Sequence, residues 1–154
     1  MKSIYTIPIA VIVCFAVGLF ASLLQQESLM QWYPLLNKSS LTPPNIVFPI
    51  VWSVLYLLMG ISVGIVAATP HPQRPLVIAI FAVQLIINFL WCILFFTLRN
   101  PLLGLIDIVL LDVLVVLYIV RCFPINRAAA LLFLPYIVWL MMASYLNGFI
   151  LMNN

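Results

Sequence analysis

Residues 76–98 read LVIAIFAVQLIINFLWCILFFTL without a single charge, and the run stops at Arg99-Asn100-Pro101. A helix rises about 1.5 Å per residue, so roughly 20 apolar residues cross the ~30 Å hydrocarbon core of a bilayer. This stretch therefore reads as a membrane span. Four others do so too: about 4–24, 47–68, 102–121 and 128–152. Apolar residues make up 67% of the 154 and charged residues 6%, against roughly 45–50% and about 25% in soluble domains. Six Lys+Arg and three Asp+Glu cannot cover a water-facing surface. That balance excludes a soluble domain and a disordered chain. The net charge of +3 comes from scattered residues, so no nucleic-acid footprint exists. The expected fold is an all-α integral membrane protein, one five-transmembrane-helix bundle over residues 1–154.

The breaks between spans have clear chemistry. Thr69-Pro70-His71-Pro72-Gln73-Arg74-Pro75 cannot be helical, because three prolines remove donors and fix the backbone. Arg99-Asn100-Pro101 places Pro at a helix start, and Cys122-Phe123-Pro124-Ile125-Asn126 is another turn. Links this short make consecutive helices antiparallel neighbours. The first link, about residues 25–46, is longer and carries Trp32, Tyr33, Leu35 and Leu36. Links beyond roughly 12–15 residues are usually functional or disordered; this aromatic one is expected to act as a lid. The first span follows Lys2 but exceeds the roughly 7–15 residues of a signal-peptide core, and it is read as retained.

Gln84, Asn88, Asp107, Asp112 and Asn147 fall inside the spans, where polar side chains are costly and usually face the bundle interior. Gln84, Asn88, Trp91 and Phe95 share one helix face; so do Trp52, Tyr56 and Met59, and again Trp139, Ala143, Leu146 and Ile150. Converging inward, three such stripes would line an apolar pocket with a few directional polar groups. Stripes of this kind are more often packing, and Gln84 and Asn88 could simply tie helices together; the residues alone leave both readings open. Asp107 and Asp112 lie about 140° apart around a helix and form no acid–base pair. Cys14, Cys92 and Cys122 read as packing residues, and no Cys/His cluster suggests a metal. His71 is the only histidine, so one chain cannot hold a haem between two. Ala10, Cys14, Gly18 and Ser22 form a small-residue stripe, as do Gly60, Gly64 and Ala68. The first is expected to join two chains, with the third span as the next candidate.

These residues resemble a known family. Trp32-Tyr33-x-x-Leu36-x-Lys38, Thr42-Pro43-Pro44 and Pro49-x-x-Trp52-x-x-Leu55-Tyr56-x-x-Met59-Gly60 are similar to the TspO/translocator-protein family of tryptophan-rich sensory proteins. Gln84-Leu85-x-x-Asn88-x-x-Trp91-x-x-x-Phe95-Phe96 resembles its third helix, and Leu105-Ile106-Asp107 its fourth. Pro135-Tyr136-x-x-Trp139-x-x-x-Ala143-x-x-Leu146-Asn147 resembles its fifth. The resemblance implies a bacterial member of a group of five-helix bundles, often homodimeric, that bind porphyrins such as protoporphyrin and haem, and synthetic isoquinoline and benzodiazepine drugs. Porphyrin is implied as a ligand, not as an obligatory cofactor. Carried over by motif, the pocket residues are Tyr33, Pro43, Trp52, Tyr56, Asn88, Trp91, Trp139, Ala143 and Leu146, with the Asn88 amide expected to point at the ligand. Ser39 and Leu41 stand where the family has Pro and Trp in the loop. Nothing basic follows Tyr145, so the animal members' cholesterol motif is not carried over; a similar pattern, Leu114, Tyr118, Arg121, lies on the fourth span.

The leading expectation is a porphyrin-binding membrane sensor regulating tetrapyrrole or stress responses, with Lys38 as one partner for the porphyrin's propionates. Two alternatives follow from family and pocket: light-dependent porphyrin breakdown, for which Trp52 and Trp139 would be the residues to suspect, and transport of a small lipophile. No nucleophile, general base or metal set supports ordinary catalysis. Helical spans make a bacterial inner membrane the expected location. Lys2, Arg74, Arg121 and Arg127 fall on one side and Lys38 and Arg99 on the other, which places the amino terminus in the cytoplasm. A membrane-impermeant maleimide should therefore label Lys38→Cys from outside and Arg74→Cys only after permeabilisation. Labelling of both from one face would contradict this topology.

Overall fold

A computed structural model of the chain describes residues 5–154. Lys2 and Ile4, used above for orientation and the start of the first span, lie outside the described residues. Among the described residues every regular element is helical: α1 (Thr6–Gln31), a 3-10 turn (Tyr33–Leu35), α2 (Val47–Ala68), α3 (Arg74–Trp91) continued by a π-helical segment (Cys92–Thr97), α4 (Pro101–Cys122), α5 (Arg127–Leu131) and α6 (Leu134–Asn153). Five helical stretches are long and apolar enough to cross a membrane: Thr6–Gln31, Val47–Ala68, Arg74–Thr97, Pro101–Cys122 and Arg127–Asn153. The chain is an integral, multi-pass membrane protein.

The helix ends follow local chemistry. Asn100 accepts a hydrogen bond from the Leu103 backbone N–H (3.0 Å), with Pro101 at the first helical position of α4. Asn126 caps α5 in the same way through the Ala129 N–H (3.0 Å). Two boundaries differ from the sequence reading. The first helix continues to Gln31 rather than ending near Leu24, which shortens the first link to residues 32–46. The fifth span is also not one helix. Pro135 has no N–H to offer the Leu131 carbonyl and its ring crowds that carbonyl, so the chain breaks at Leu132–Phe133, where Phe133 N–H bonds to Ala130 O (3.1 Å).

The spans form a ring. α1 lies along α2, α3 along α4, and α4 along α6, while α1 also touches α3 and its π segment; α5 bridges α2 and α4. Spatial order around the ring is therefore α2, α1, α3, α4, α6, so α2 and α3, expected as neighbours from their short link, have α1 between them. Glycines set the closest of these approaches. A Cβ on Gly60 would stand 2.5 Å from the Val11 Cα, and one on Gly64 2.6 Å from the Ile7 Cα. A Cβ on Gly18 would meet the Tyr56 ring at 2.4 Å, and Cys14 is fully buried. The stripe expected to join two chains thus packs within one chain, α1 against α2. Close backbone approach is what small residues permit in a bilayer, where no hydrophobic force drives helices together.

Replacing Gly60 by Ala should force α1 and α2 apart at a cost of about 1–3 kcal/mol. Gly148, with nothing within 4 Å of an added Cβ, should accept Ala with no loss or a gain of roughly 0.5–1 kcal/mol. Melting temperatures in detergent compare the two. A stable Gly60→Ala protein whose oligomeric state had changed would return the stripe to a contact between chains.

Candidate functional site

Three helices place their polar and aromatic side chains at one point in the ring's interior. Tyr56 of α2 donates its hydroxyl hydrogen to Asn88 Oδ1 of α3 (2.9 Å), and Asn88 Nδ2 donates to the Tyr136 hydroxyl of α6 (2.9 Å). All three residues are buried, with Asn88 4% and Tyr136 1% exposed. Lipid offers no hydrogen bonds, so polar groups at this depth must pair with each other. An amide has two N–H donors and two acceptor lone pairs, and one of each in Asn88 is engaged by the tyrosines. Asn88 thus ties three helices together, and one N–H and one lone pair of its amide remain for any further partner.

Aromatic rings surround this link. Trp52 lies against Tyr56 with centroids 5.5 Å apart and meets Tyr136 edge-on at 6.2 Å. Trp139, one turn from Tyr136, meets Phe48 of α2 edge-on at 5.7 Å. Trp52, Trp91, Trp139 and Ala143 are only partly buried and pack against the core that holds Tyr56 and Tyr136. Leu146 is buried on the same helix as Trp139. Of the nine expected residues, Tyr56 and Asn88 form the link, Trp52 packs on both of its tyrosines, and Trp91, Trp139 and Ala143 lie against the same core.

A second tier lies toward the first loop. The π segment widens the helix after Trp91, with Leu98 N–H bonded to Ile93 O (2.8 Å), and Trp91 and Phe95 stack at 5.0 Å and 10°. Such π segments recur at functional sites. Tyr33 reaches this tier from the loop, 5.7 Å from the Phe96 ring and 6.5 Å from the Phe95 ring; burial pushes its phenol up from the ordinary value. Trp91 belongs to both tiers, and its indole N–H donates to Asn147 Oδ1 (3.3 Å). Pro43 is half-buried in the loop, and its ring enters neither aromatic tier. Lys38 folds back on Tyr33: its ammonium donates to the Tyr33 carbonyl (2.9 Å) and sits 4.7 Å from the ring centroid.

The loop is tied down at its far side. Asn37 N–H donates to Asn154 Oδ1 (2.8 Å), Asn154 Nδ2 donates to the Asn37 carbonyl (3.2 Å), and Ser39 Oγ lies 3.1 Å from the Tyr145 hydroxyl.

The remaining intramembrane polar residues do other work. Gln84 reaches Met59 Sδ at 3.8 Å and leaves Oε1 without a hydrogen-bond partner. Asp112 accepts from Ser144 Oγ (2.8 Å), joining α4 to α6; Asp107 Oδ2 is buried with no partner. Cys14, Cys92 and Cys122 are free and buried. Among the described residues no group of three or more His, Cys, Asp or Glu could hold a metal ion. Sequence reasoning missed Tyr136 as a site residue. Its signal was present: a hydroxyl one turn before Trp139, on a helix otherwise apolar at that level.

What the arrangement offers is indole and phenol ring surface around one polar anchor, and it contains no nucleophile–base pair among the residues just described. The chain is 36% identical to the tryptophan-rich protein TspO of Chlorobaculum tepidum across 99% of this chain and 98% of that one. It is 41% identical to the TspO of Archaeoglobus fulgidus across 94% of each. It is 33% identical to the tryptophan-rich sensory protein of Cereibacter sphaeroides across 76% of this chain and 73% of that one. The profile of the TspO/MBR family matches residues 10–152, and with these relatives it shows that the chain belongs to that family.

Proposed function

We propose that this protein is a membrane receptor and sensor that binds flat, lipophilic aromatic ligands of the porphyrin type between its helices. The observation that carries this reading is Trp52 lying on both tyrosines of the Tyr56–Asn88–Tyr136 link, with Trp91 and Trp139 of two further helices partly buried against the same core. Partly buried rings on facing helices offer stacking surface to a planar guest, and offset stacking adds to the gain from apolar burial. Asn88 keeps one N–H and one lone pair for a polar edge of such a guest. The name of the Cereibacter sphaeroides relative, a sensory protein, supports a signalling role over a purely structural one. The protein sits in the bacterial inner membrane with its amino terminus in the cytoplasm, as the basic-residue count suggests. If it forms a homodimer, the outward face of α3, with Val83 and Ile86 exposed, is free for the contact, whereas the α1 stripe is taken.

Titration of protoporphyrin into the purified protein, followed by tryptophan quenching, tests the reading. Trp139→Phe keeps a ring in place and should weaken binding by about 1 kcal/mol, roughly fivefold. Asn88→Leu leaves two buried tyrosine hydroxyls without partners and should lower stability by about 1–3 kcal/mol, with affinity in the folded fraction falling as the anchor is lost. Unchanged affinity in both folded variants would overturn the assignment.

A further inference from the structure

One seam of the ring of helices is loose. α2 and α6 follow each other around the ring, yet their backbones scarcely approach. The short α5 closes the seam at the end away from the first loop, where Ser62 Oγ donates to the Ala129 carbonyl (2.7 Å). Nearer the loop, ring pairs span it: Trp52 with Tyr136 and Phe48 with Trp139.

A cleft of about 280 Å³ lies in this seam, between Val51, Val54 and Leu55 of α2 and Pro135, Val138 and Trp139 of α6. Every one of these side chains is apolar. Val54 and Val138 at the rims are 49% and 65% exposed, and Leu55 at the floor is 2% exposed. Val54 lies seven residues into α2, roughly 10 Å along the helix axis. The cleft therefore opens sideways at the depth of lipid hydrocarbon, not into water. Trp139 lines it, one turn from Tyr136 on α6, and the neighbouring Val51 is followed on α2 by Trp52, whose ring meets that of Tyr136. The other approach to the same rings, from the first loop, is crossed by the Asn37–Asn154 and Ser39–Tyr145 hydrogen bonds, and the cleft of about 320 Å³ at that end carries the polar side chains of Arg99 and Asn154 in its lining.

We propose that this cleft is the port through which the ligand passes between the bilayer and the aromatic site, with Trp139 as the side chain that moves to admit it. The proposal rests on the reading of the protein as a receptor for a lipophilic, porphyrin-type ligand. Such a molecule partitions into the bilayer, so its supply is highest at the depth where the cleft opens. Passage there exchanges one apolar surrounding for another. Passage under the loop would break polar bonds that water then has to satisfy. The upper end of the cleft, at Ile50, lies three residues from the start of α2, close enough to the interface for the carboxylates of a tetrapyrrole to stay hydrated while its ring slides in.

The test uses the full chain in lipid nanodiscs, with protoporphyrin binding and release timed by stopped-flow tryptophan quenching. Val54→Phe and Val138→Phe fill the rims without touching the Asn88 link. They should slow association and dissociation together by about tenfold and leave Kd within about twofold, because a plug on the path changes rates and not the site. Removing the loop ties with Asn37→Ala, Ser39→Ala and Asn154→Ala together, which also takes away the Asn37 Nδ2 bond to the Asn153 carbonyl (3.0 Å), should leave both rates as they are. Unaltered rates in the plugged variants, or faster binding and release once the loop ties are gone, would overturn the port. Absence of any quenching in the wild type would overturn the porphyrin reading and the port together; wild-type binding with unaltered rates in the plugged variants overturns the port alone.

Discussion

Asn88 accepts from Tyr56 of α2 with one end of its amide and donates to Tyr136 of α6 with the other, so three separate spans share one polar contact at the centre of the bundle. In a bilayer this contact cannot be exchanged for water, and lipid tails pack about as well against Leu as protein does. It therefore fixes the relative height and rotation of the three helices more firmly than the apolar contacts around it. Once those are set, the Trp52 ring is fixed too, because it lies against both tyrosines of the link. The same constraint operates at the periphery of the site. Ser62 holds both Tyr118 (2.9 Å) and the Ala129 carbonyl, and Ser144 holds Asp112. Each of these links sits on a different pair of elements.

The close fit of α1 against α2 is the second condition. Gly18 leaves room for the Tyr56 ring, and Gly60 and Gly64 let the two backbones touch. Tyr56 is thus pressed from behind by α1 while its hydroxyl reaches forward to Asn88. A side chain at Gly18 would displace the ring and break the link. Stability and site geometry are coupled through this one tyrosine.

Much of the fold was legible in the sequence because its signals are local. Span lengths follow from uninterrupted apolar runs, and the turns from the prolines at 70, 72, 75 and 101. Trp52, Asn88 and Trp139 could be placed on inward faces by helical spacing alone. What could not be read depends on partners far along the chain. The apolar run ends near Leu24, so the sequence reading began the first link at about residue 25; in the fold Ser28 Oγ donates to the Phe96 carbonyl (2.6 Å), Cys92 Sγ lies 3.7 Å from Gln25 Oε1, and Glu27 meets Arg99 at 3.4 Å. These contacts let α1 continue to Gln31. For Asn88 spacing left two readings open, a tie between helices or a ligand contact, since it gives a residue's face but not the identity of what it meets. The break before Pro135 had a local cause, and the proline itself was the available sign.

Indole N–H chemical shifts of the uniformly 15N-labelled protein, recorded with and without protoporphyrin, test the central claim most directly. Ring currents of a bound porphyrin act only on nearby protons, and the chain has four tryptophans. Binding among the three helices predicts large shifts for Trp52 and Trp139, a clear one for Trp91, and little change at Trp32 near the first loop. A large shift confined to Trp32, with Trp52 and Trp139 unmoved, would contradict it.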